Sequence, residues 1–361
     1  MTTTFGYLRT QDLYTQRITT VGVIRVYDAI RSHVEEYTRV VLAMMAEIAE
    51  KTVTAQEQIE LPGDGTLQPL DADGNPLPVL PSGSYQVAYP IQGAGTAWGT
   101  NRISRELMTV EEAERNTLDA ERRDADWMIR HMLAAIFTNV TWTYKDEVGA
   151  NGAKGLGNIT IQPLANGDSV TYVLKGATDP ATDTHYLAQA DAIDDTHNPF
   201  PTISKELSEH PSNGNRRILV YIPENLKDSV MDLTAFVGIE DGDILDPTDA
   251  TARNVPNPGF GDEVLGKIKG TKCWIVLWGA LPDNYMFAKV EGKAVLKMRE
   301  YPAGALQGFF PENANVDGNH LITRMLRYCG FGVSDRVGAL VMRIGNASYA
   351  IPTGYTAPLP V

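Results

Sequence analysis

Residues 109–140 read TVEEAERNTLDAERRDADWMIRHMLAAIFTNV. Thr109-Val110-Glu111-Glu112 has the form of a capping box, and no glycine or proline follows until Gly149, so one helix is expected from Val110 to about Val140. At 1.5 Å per residue it would be roughly 46 Å long, against about a dozen residues for a usual helix. In its first half Glu111, Asp119 and Asp126 each stand four residues before an arginine, Arg115, Arg123 and Arg130, the favourable polarity for helix ion pairs. That half is expected to lean on little core. The second half carries Met128, Met132, Leu133, Ile136, Phe137 and Val140 and can bury a face. Such a helix suits a strut along a flat molecule better than a packing element in a sphere.

Upstream of the strut, Val53, Ala55, Ile59 and Leu61, and later Tyr85, Val87, Tyr89 and Ile91, keep a period of two and predict the strands of one long hairpin. About twenty residues separate the strands, far beyond an ordinary turn. From Gln56 to Asn101 the chain holds six prolines, seven glycines and no lysine or arginine, so the tip is not regular structure. Leu61, Leu67, Leu70, Leu77, Val79 and Leu80 have no evident place to be buried in a thin loop, and a floppy excursion is normally poorer in aliphatics. The tip therefore reads as bound to a partner. Before the hairpin, Val26, Ile30, Val34, Tyr37, Val41, Met45 and Ile48 describe one face of an amphipathic helix over residues 25–50, preceded by a polar, extended arm.

Downstream the pattern is α+β. Ile159–Ile161 and Val170–Leu174 around Asn166-Gly167-Asp168 predict a hairpin. A short helix is expected at Ile203–His210, a strand at Arg217–Ile222, and a helix from Pro223 to Phe236 opened by its proline. Strands are expected at Cys273–Trp278, Tyr285–Val290 and Lys293–Arg299. Two closing strands, Leu321–Tyr328 and Val337–Ile344, are joined by residues 329–336, and the tail after Ile351 reads as irregular.

The 361 residues carry 45 acids against 31 bases, a formal charge of -14. Contact with DNA should therefore be non-adhesive. The longest apolar run, Val40 to Ala46, is far short of the roughly 20 residues that span a bilayer, so no membrane partner is expected. No export signal opens the chain, which places it in the cytoplasm unless it is carried out within something larger. Cys273 and Cys329 stand alone and read as buried thiols.

Motifs for chemistry fail on spacing. Gly93-Ala94-Gly95-Thr96-Ala97-Trp98-Gly99 is one residue too long for a dinucleotide loop, and Gly266-Lys267 and Gly292-Lys293 lack the Ser or Thr of a phosphate loop. Asp71-Ala72-Asp73-Gly74-Asn75 has its glycine too early for a calcium loop and reads as a turn. Two acidic patches could bind a hard cation through carboxylate oxygens: Asp179, Asp183, Asp191, Asp194 and Asp195 with His185 and His197, and Glu240, Asp241, Asp243, Asp246 and Asp249. Neither has a fixed ligand spacing, so solvated loops are the stronger reading. His33, His131, His210 and His320 have no evident nucleophile beside them and read as satisfied surface or helix histidines. No catalytic, metal or cofactor site is assigned.

The order of parts, an arm with a helix, a long two-stranded loop, a strut helix, an α/β middle and returning strands, resembles the tailed-bacteriophage major capsid proteins, whose fold encapsulins share. Ile218-Leu219-Val220-Tyr221-Ile222-Pro223 with its following helix, Leu265 to Pro282, and Leu321 to Tyr328 with Arg336, Gly338, Ala339 and Val341 carry the resemblance. It implies an N-arm (1–54), an E-loop (55–101), a P-domain with the spine helix (102–195), an A-domain (196–304), P-domain return strands (305–350) and a tail (351–361). It further implies a non-enzymatic subunit of the virion head shell, assembled in the host cytoplasm as hexamers and pentamers around double-stranded DNA. A portal, a decoration protein and a separate or removed scaffolding protein are its implied partners. Some members crosslink an E-loop lysine to a neighbour's asparagine, but no lysine lies between Lys51 and Lys145, so that route is closed.

An E-loop lies across the neighbour's P-domain in the family. The expected contacts are therefore the aliphatics Leu67, Leu70, Leu77, Val79 and Leu80, and the acids Glu57, Glu60, Asp64, Asp71 and Asp73, facing Arg102, Arg105 and Arg122. These three arginines have no acid four residues before them. An encapsulin shell around an enzyme cargo is the alternative, and a soluble metal-dependent hydrolase using an acidic patch is a third reading.

Overall fold

The computed structural model describes residues 16–61, 70–76, 83–100, 107–148, 154–176, 181–239, 255–256, 263–316 and 320–359. Helices α1 (Ile18–Val21) and α2 (Val23–Met45) lead to β1 (Ala49–Thr52), to the hairpin of β2 (Gln56–Leu61) and β3 (Gly83–Ala88), and to β4 (Gln92–Thr100). Helix α3 (Val110–Phe137) precedes the strand pairs β5 (Trp142–Val148) with β6 (Lys154–Ile161) and β7 (Asn166–Tyr172) with β8 (Ala181–Thr184). Next come β9 (Tyr186–Gln189), α4 (Phe200–Glu209), β10 (Ile218–Ile222), α5 (Lys227–Met231) and β11 (Phe236–Gly238). The chain closes through β12 (Glu263–Ile268), β13 (Cys273–Leu277), β14 (Tyr285–Val290), β15 (Leu296–Glu300), β16 (Phe309–Val316), β17 (His320–Val333) and β18 (Ala339–Ile344).

Every residue of β10 is buried, as an unbroken apolar run requires when both faces of a strand are covered. It lies at the centre of a seven-stranded mixed sheet, β11-β12-β13-β10-β14-β18-β9. One face packs Tyr221, Phe287 and Val341 against Met128, Met132, Leu133, Ile136 and Phe137 of α3. The other packs Val220, Ile275 and Met286 against Phe200, Ile203 and Leu207 of α4. A second sheet is built on β17, which pairs with β16 and then β15 along one edge and with β4 along the other. β1 adds to β15 in parallel.

The spine helix begins where its capping box places it, the Thr109 hydroxyl accepting from the Glu112 amide at 3.2 Å. Of the three expected ion pairs, only Asp119–Arg123, at 2.9 Å, closes among the described residues. The first half of α3 is not short of core. Ala113 and Ala120 pack against Val26, Ile30 and Val34 of α2 and Met325 of β17. Small residues form that buried stripe, and they leave little trace in a hydrophobic pattern.

Several expectations are corrected. The arm reaches a helix at Ile18, earlier than residue 25, and α2 ends at Met45 because β1 needs Ala49–Thr52 extended beside β15. Asn166-Gly167-Asp168 is not a hairpin turn. Those residues open β7, which pairs with β8, while β6 pairs back to β5. Buried Arg336 holds them there, donating to the Asn166 side chain at 3.1 Å and to Asp168 at 2.8 Å. The helix after Pro223 stops at Met231 because the Asp195 carboxylate accepts from the amide and hydroxyl of Thr234, and Phe236 enters β11.

The first closing strand runs through Cys329-Gly330-Phe331-Gly332-Val333 instead of ending at Tyr328. The two glycines serve a close approach. A Cβ on Gly332 would lie 2.5 Å from the Ala88 carbonyl oxygen, and one on Gly330 would strike that of Pro90. Gly332→Ala is therefore expected to cost about 1–3 kcal/mol of subunit stability, read as a lowered melting temperature. Gly304→Ala should be near neutral, because nothing lies within 4 Å of a Cβ there.

Candidate functional site

The hairpin of β2 and β3 is fastened at its base. Lys297 donates to both carboxylate oxygens of Glu57 at 2.8 Å, and the Tyr89 hydroxyl donates to the same carboxylate at 3.2 Å. Arg299 donates to the Tyr89 carbonyl at 3.0 Å and to buried Asp146 at 3.0 Å. Leu61 is buried with Tyr85, Val87 and Val337. The expectation that Leu61 has no place within its own chain is thus corrected: the hairpin base is core, and the question of burial falls on the tip.

Of the tip residues, Leu67, Leu77, Val79, Leu80 and Asp64 lie outside the described residues, as do Arg102 and Arg105. Leu70 is 61% exposed. Asp71 accepts from the amides of Asp73 and Asn75 at 3.0 and 2.7 Å, which makes this segment the expected turn. Those hydrogen bonds, with Asn75 first, hold the Asp71 carboxyl below its usual range. Glu60 and Asp73 are exposed. Arg122 is exposed on the spine and makes no ion pair among the described residues.

The spine is tied to β17 by a pair that the sequence reading missed. Buried Arg327 grips Asp124 with two hydrogen bonds, Nε to Oδ1 at 2.6 Å and an Nη to Oδ2 at 2.7 Å. The Tyr37 hydroxyl of α2 lies 3.0 Å from the same carboxylate. Burial works against the charge on Arg327, but its bonds to Asp124 outweigh burial and raise its pKa. A bidentate, charge-assisted pair of this kind fixes orientation as well as distance. α2, α3 and β17 therefore meet on one carboxylate. An open, mainly apolar groove of about 370 Å³ runs between α2 and the first turns of α3, lined by Val21, Ala29, Ile30, Val110 and Leu118.

The first acidic patch divides. Asp191 and Asp194 stay at the surface with His197, and Asp195 anchors Thr234. Asp183 instead turns inward to His185 and to His210, which is buried rather than on the surface. Asp179 and the second patch, Glu240 to Asp249, lie outside the described residues. The Gly93–Gly99 stretch is strand β4 along β17. Both cysteines are buried free thiols, and burial pushes Cys273 up to about 12. No helix among the described residues is long and apolar enough to cross a membrane.

No family model matches the chain, and no curated protein matches it. A solved chain of Mycobacterium phage Patience superposes with a TM-score of 0.67 over 99% of this chain and 98% of that one, at 17% sequence identity. The chain has the phage capsid fold. The capsid of cyanophage P-SCSP1u gives a TM-score of 0.49 at 8% identity, covering 83% of this chain and 86% of that one. A virus-like particle from Pyrococcus furiosus gives 0.43 at 9% identity, covering 88% and 99%.

Proposed function

We propose that this protein is the major capsid protein of a tailed phage. It assembles through hexamers and pentamers into the virion head shell that encloses double-stranded DNA. The observation that carries the reading is the superposition over nearly the full length of both chains. Its supports are physical. A hairpin held rigidly at its base and aliphatic at its tip is poorly satisfied in a lone subunit and well satisfied in a closed lattice, where many weak contacts act together. The charge of -14 suits a wall that must not grip phosphates during packing and release. The division into N-arm (1–54), E-loop (55–101), P-domain (102–195 and 305–350), A-domain (196–304) and tail (351–361) belongs to the same proposal. So do a structural rather than catalytic role, a portal, a scaffolding protein supplied in trans and a decoration protein outside.

In this reading the E-loop crosses the neighbouring spine. Glu57 is already held by Lys297 of its own chain, which leaves Glu60, Asp64, Asp71 and Asp73 to face Arg102, Arg105 and Arg122. Reversing Arg102 and Arg105 to Glu should slow or abolish assembly, followed by light scattering at low salt where exposed charges count most. Circular dichroism and melting of the unassembled subunit should stay near wild type. Unchanged assembly kinetics would refute the docking. Particles that hold an enzyme cargo instead of DNA would favour the encapsulin alternative.

A further inference from the structure

Asp183 at the end of β8, His185 in the one-residue link to β9, and His210 just past α4 bring three ligand atoms into a small triangle. Asp183 Oδ2 lies 2.9 Å from each imidazole Nε2, and the two Nε2 atoms lie 3.0 Å apart. His185 is fully buried and His210 is 2% exposed. His185 Nδ1 sits 2.5 Å from the Ala339 carbonyl oxygen. A carbonyl only accepts, so that nitrogen carries the proton and Nε2 of the neutral ring is a bare acceptor. This is the arrangement by which a backbone carbonyl orients a metal-binding histidine. The triangle then holds two acceptors and, from a neutral His210, at most one proton to share between them.

Two further observations fit a cation at this place. Oxygens of Glu206 and Glu209 gather with Asp183 within 4.8 Å of one another, and none of the three carboxylates pairs with a lysine or arginine among the described residues. The Tyr172 ring stands edge-on to His210 at 6.1 Å, and its hydroxyl, on a residue 2% exposed, has no hydrogen-bond partner among the described residues.

We propose that Asp183, His185 and His210 bind a first-row divalent transition metal ion, with Glu206 and Glu209 beside Asp183 adding negative charge outside that ligand triangle. Two imidazoles and a carboxylate are the donor set such ions take. For bonds of about 2.1 Å, neighbouring ligands of an octahedral ion lie about 3.0 Å apart and those of a tetrahedral ion about 3.4 Å. The observed triangle fits the octahedral spacing. The ion clips the link between β8 and β9 to the end of α4, and so ties the β7–β8 pair to the helix that covers the seven-stranded sheet. This site does not depend on the shell reading.

The test is made on the full-length unassembled subunit, stripped with chelator and dialysed against Co2+ or Zn2+. One ion per chain should bind, with the weak visible absorption of six-coordinate Co2+, paramagnetically shifted resonances from two imidazoles, and a higher melting temperature. Asp183→Asn and His210→Asn should each weaken binding by about 100-fold or more, and Glu206→Gln, on the half-buried face of α4, by about tenfold. His197→Asn, in the surface cluster, should leave binding unchanged. Absence of stoichiometric binding at about 0.1 mM metal, or binding that survives Asp183→Asn together with His210→Asn, would overturn the proposal and leave a hydrogen-bonded triad with one imidazolium. The two-imidazole signature in the wild-type chain decides the matter even if a variant does not fold.

Discussion

Deleting residues 67–80 should yield a subunit that folds and melts like wild type but no longer closes into stable shells. The hairpin base survives this cut, because Leu61, Tyr85 and Val87 are packed within the chain and Glu57 is locked by Lys297. What is lost is a tip whose Leu70 stands 61% exposed and whose sequence adds Leu67, Leu77, Val79 and Leu80. Burying even a few such side chains per interface contributes about 1.5–3 kcal/mol each, multiplied around a closed lattice. The readouts are sedimentation for assembly and circular dichroism for folding. Shells of unchanged heat resistance after the deletion would make the tip a passive excursion.

Asp124→Ala should be the most damaging single substitution to the subunit itself. It strands the guanidinium of Arg327, 1% exposed, without its counter-charge, and breaking a buried pair from one side costs about 3–5 kcal/mol. Thermal unfolding of the unassembled chain should show a drop on the order of 5–10 °C. Asp119→Ala, which removes the exposed pair with Arg123, should change stability by only about 0–1 kcal/mol. Replacing both partners, Asp124→Leu with Arg327→Met, should recover much of the loss, since a buried pair is often matched by apolar residues of similar volume. A single and a double variant that melt alike would show that the pair is not what ties the spine to β17.

The strut helix, the hairpin and the order of parts were legible because each has a local cause: a capping box, a run without glycine or proline, a period of two. β4 and β16 were not. Gly93-Ala94-Gly95-Thr96-Ala97 has almost no hydrophobic alternation, and it is a strand because β17 offers it a complete ladder, with glycines where Tyr328 and Leu326 press close. Gly330 and Gly332 mislead for the same reason, since a glycine demanded by a crossing backbone reads like a turn. The Asp124–Arg327 pair was hidden among ordinary helix charges, its partners 203 residues apart. His210 gave no sign of belonging with Asp183, because the two meet only when α4 folds back over the sheet. The candidate contact residues at the tip read as misplaced aliphatics and unpaired acids, but the proposed partner is another copy of the chain, and a single sequence does not show which of its residues they would meet.

Electron microscopy of the purified, concentrated protein under assembly conditions tests the central claim most directly. The account predicts closed icosahedral shells of uniform size built from hexamers and pentamers of this chain. A population of single subunits that never associates at any concentration, salt or scaffold supplied would contradict it.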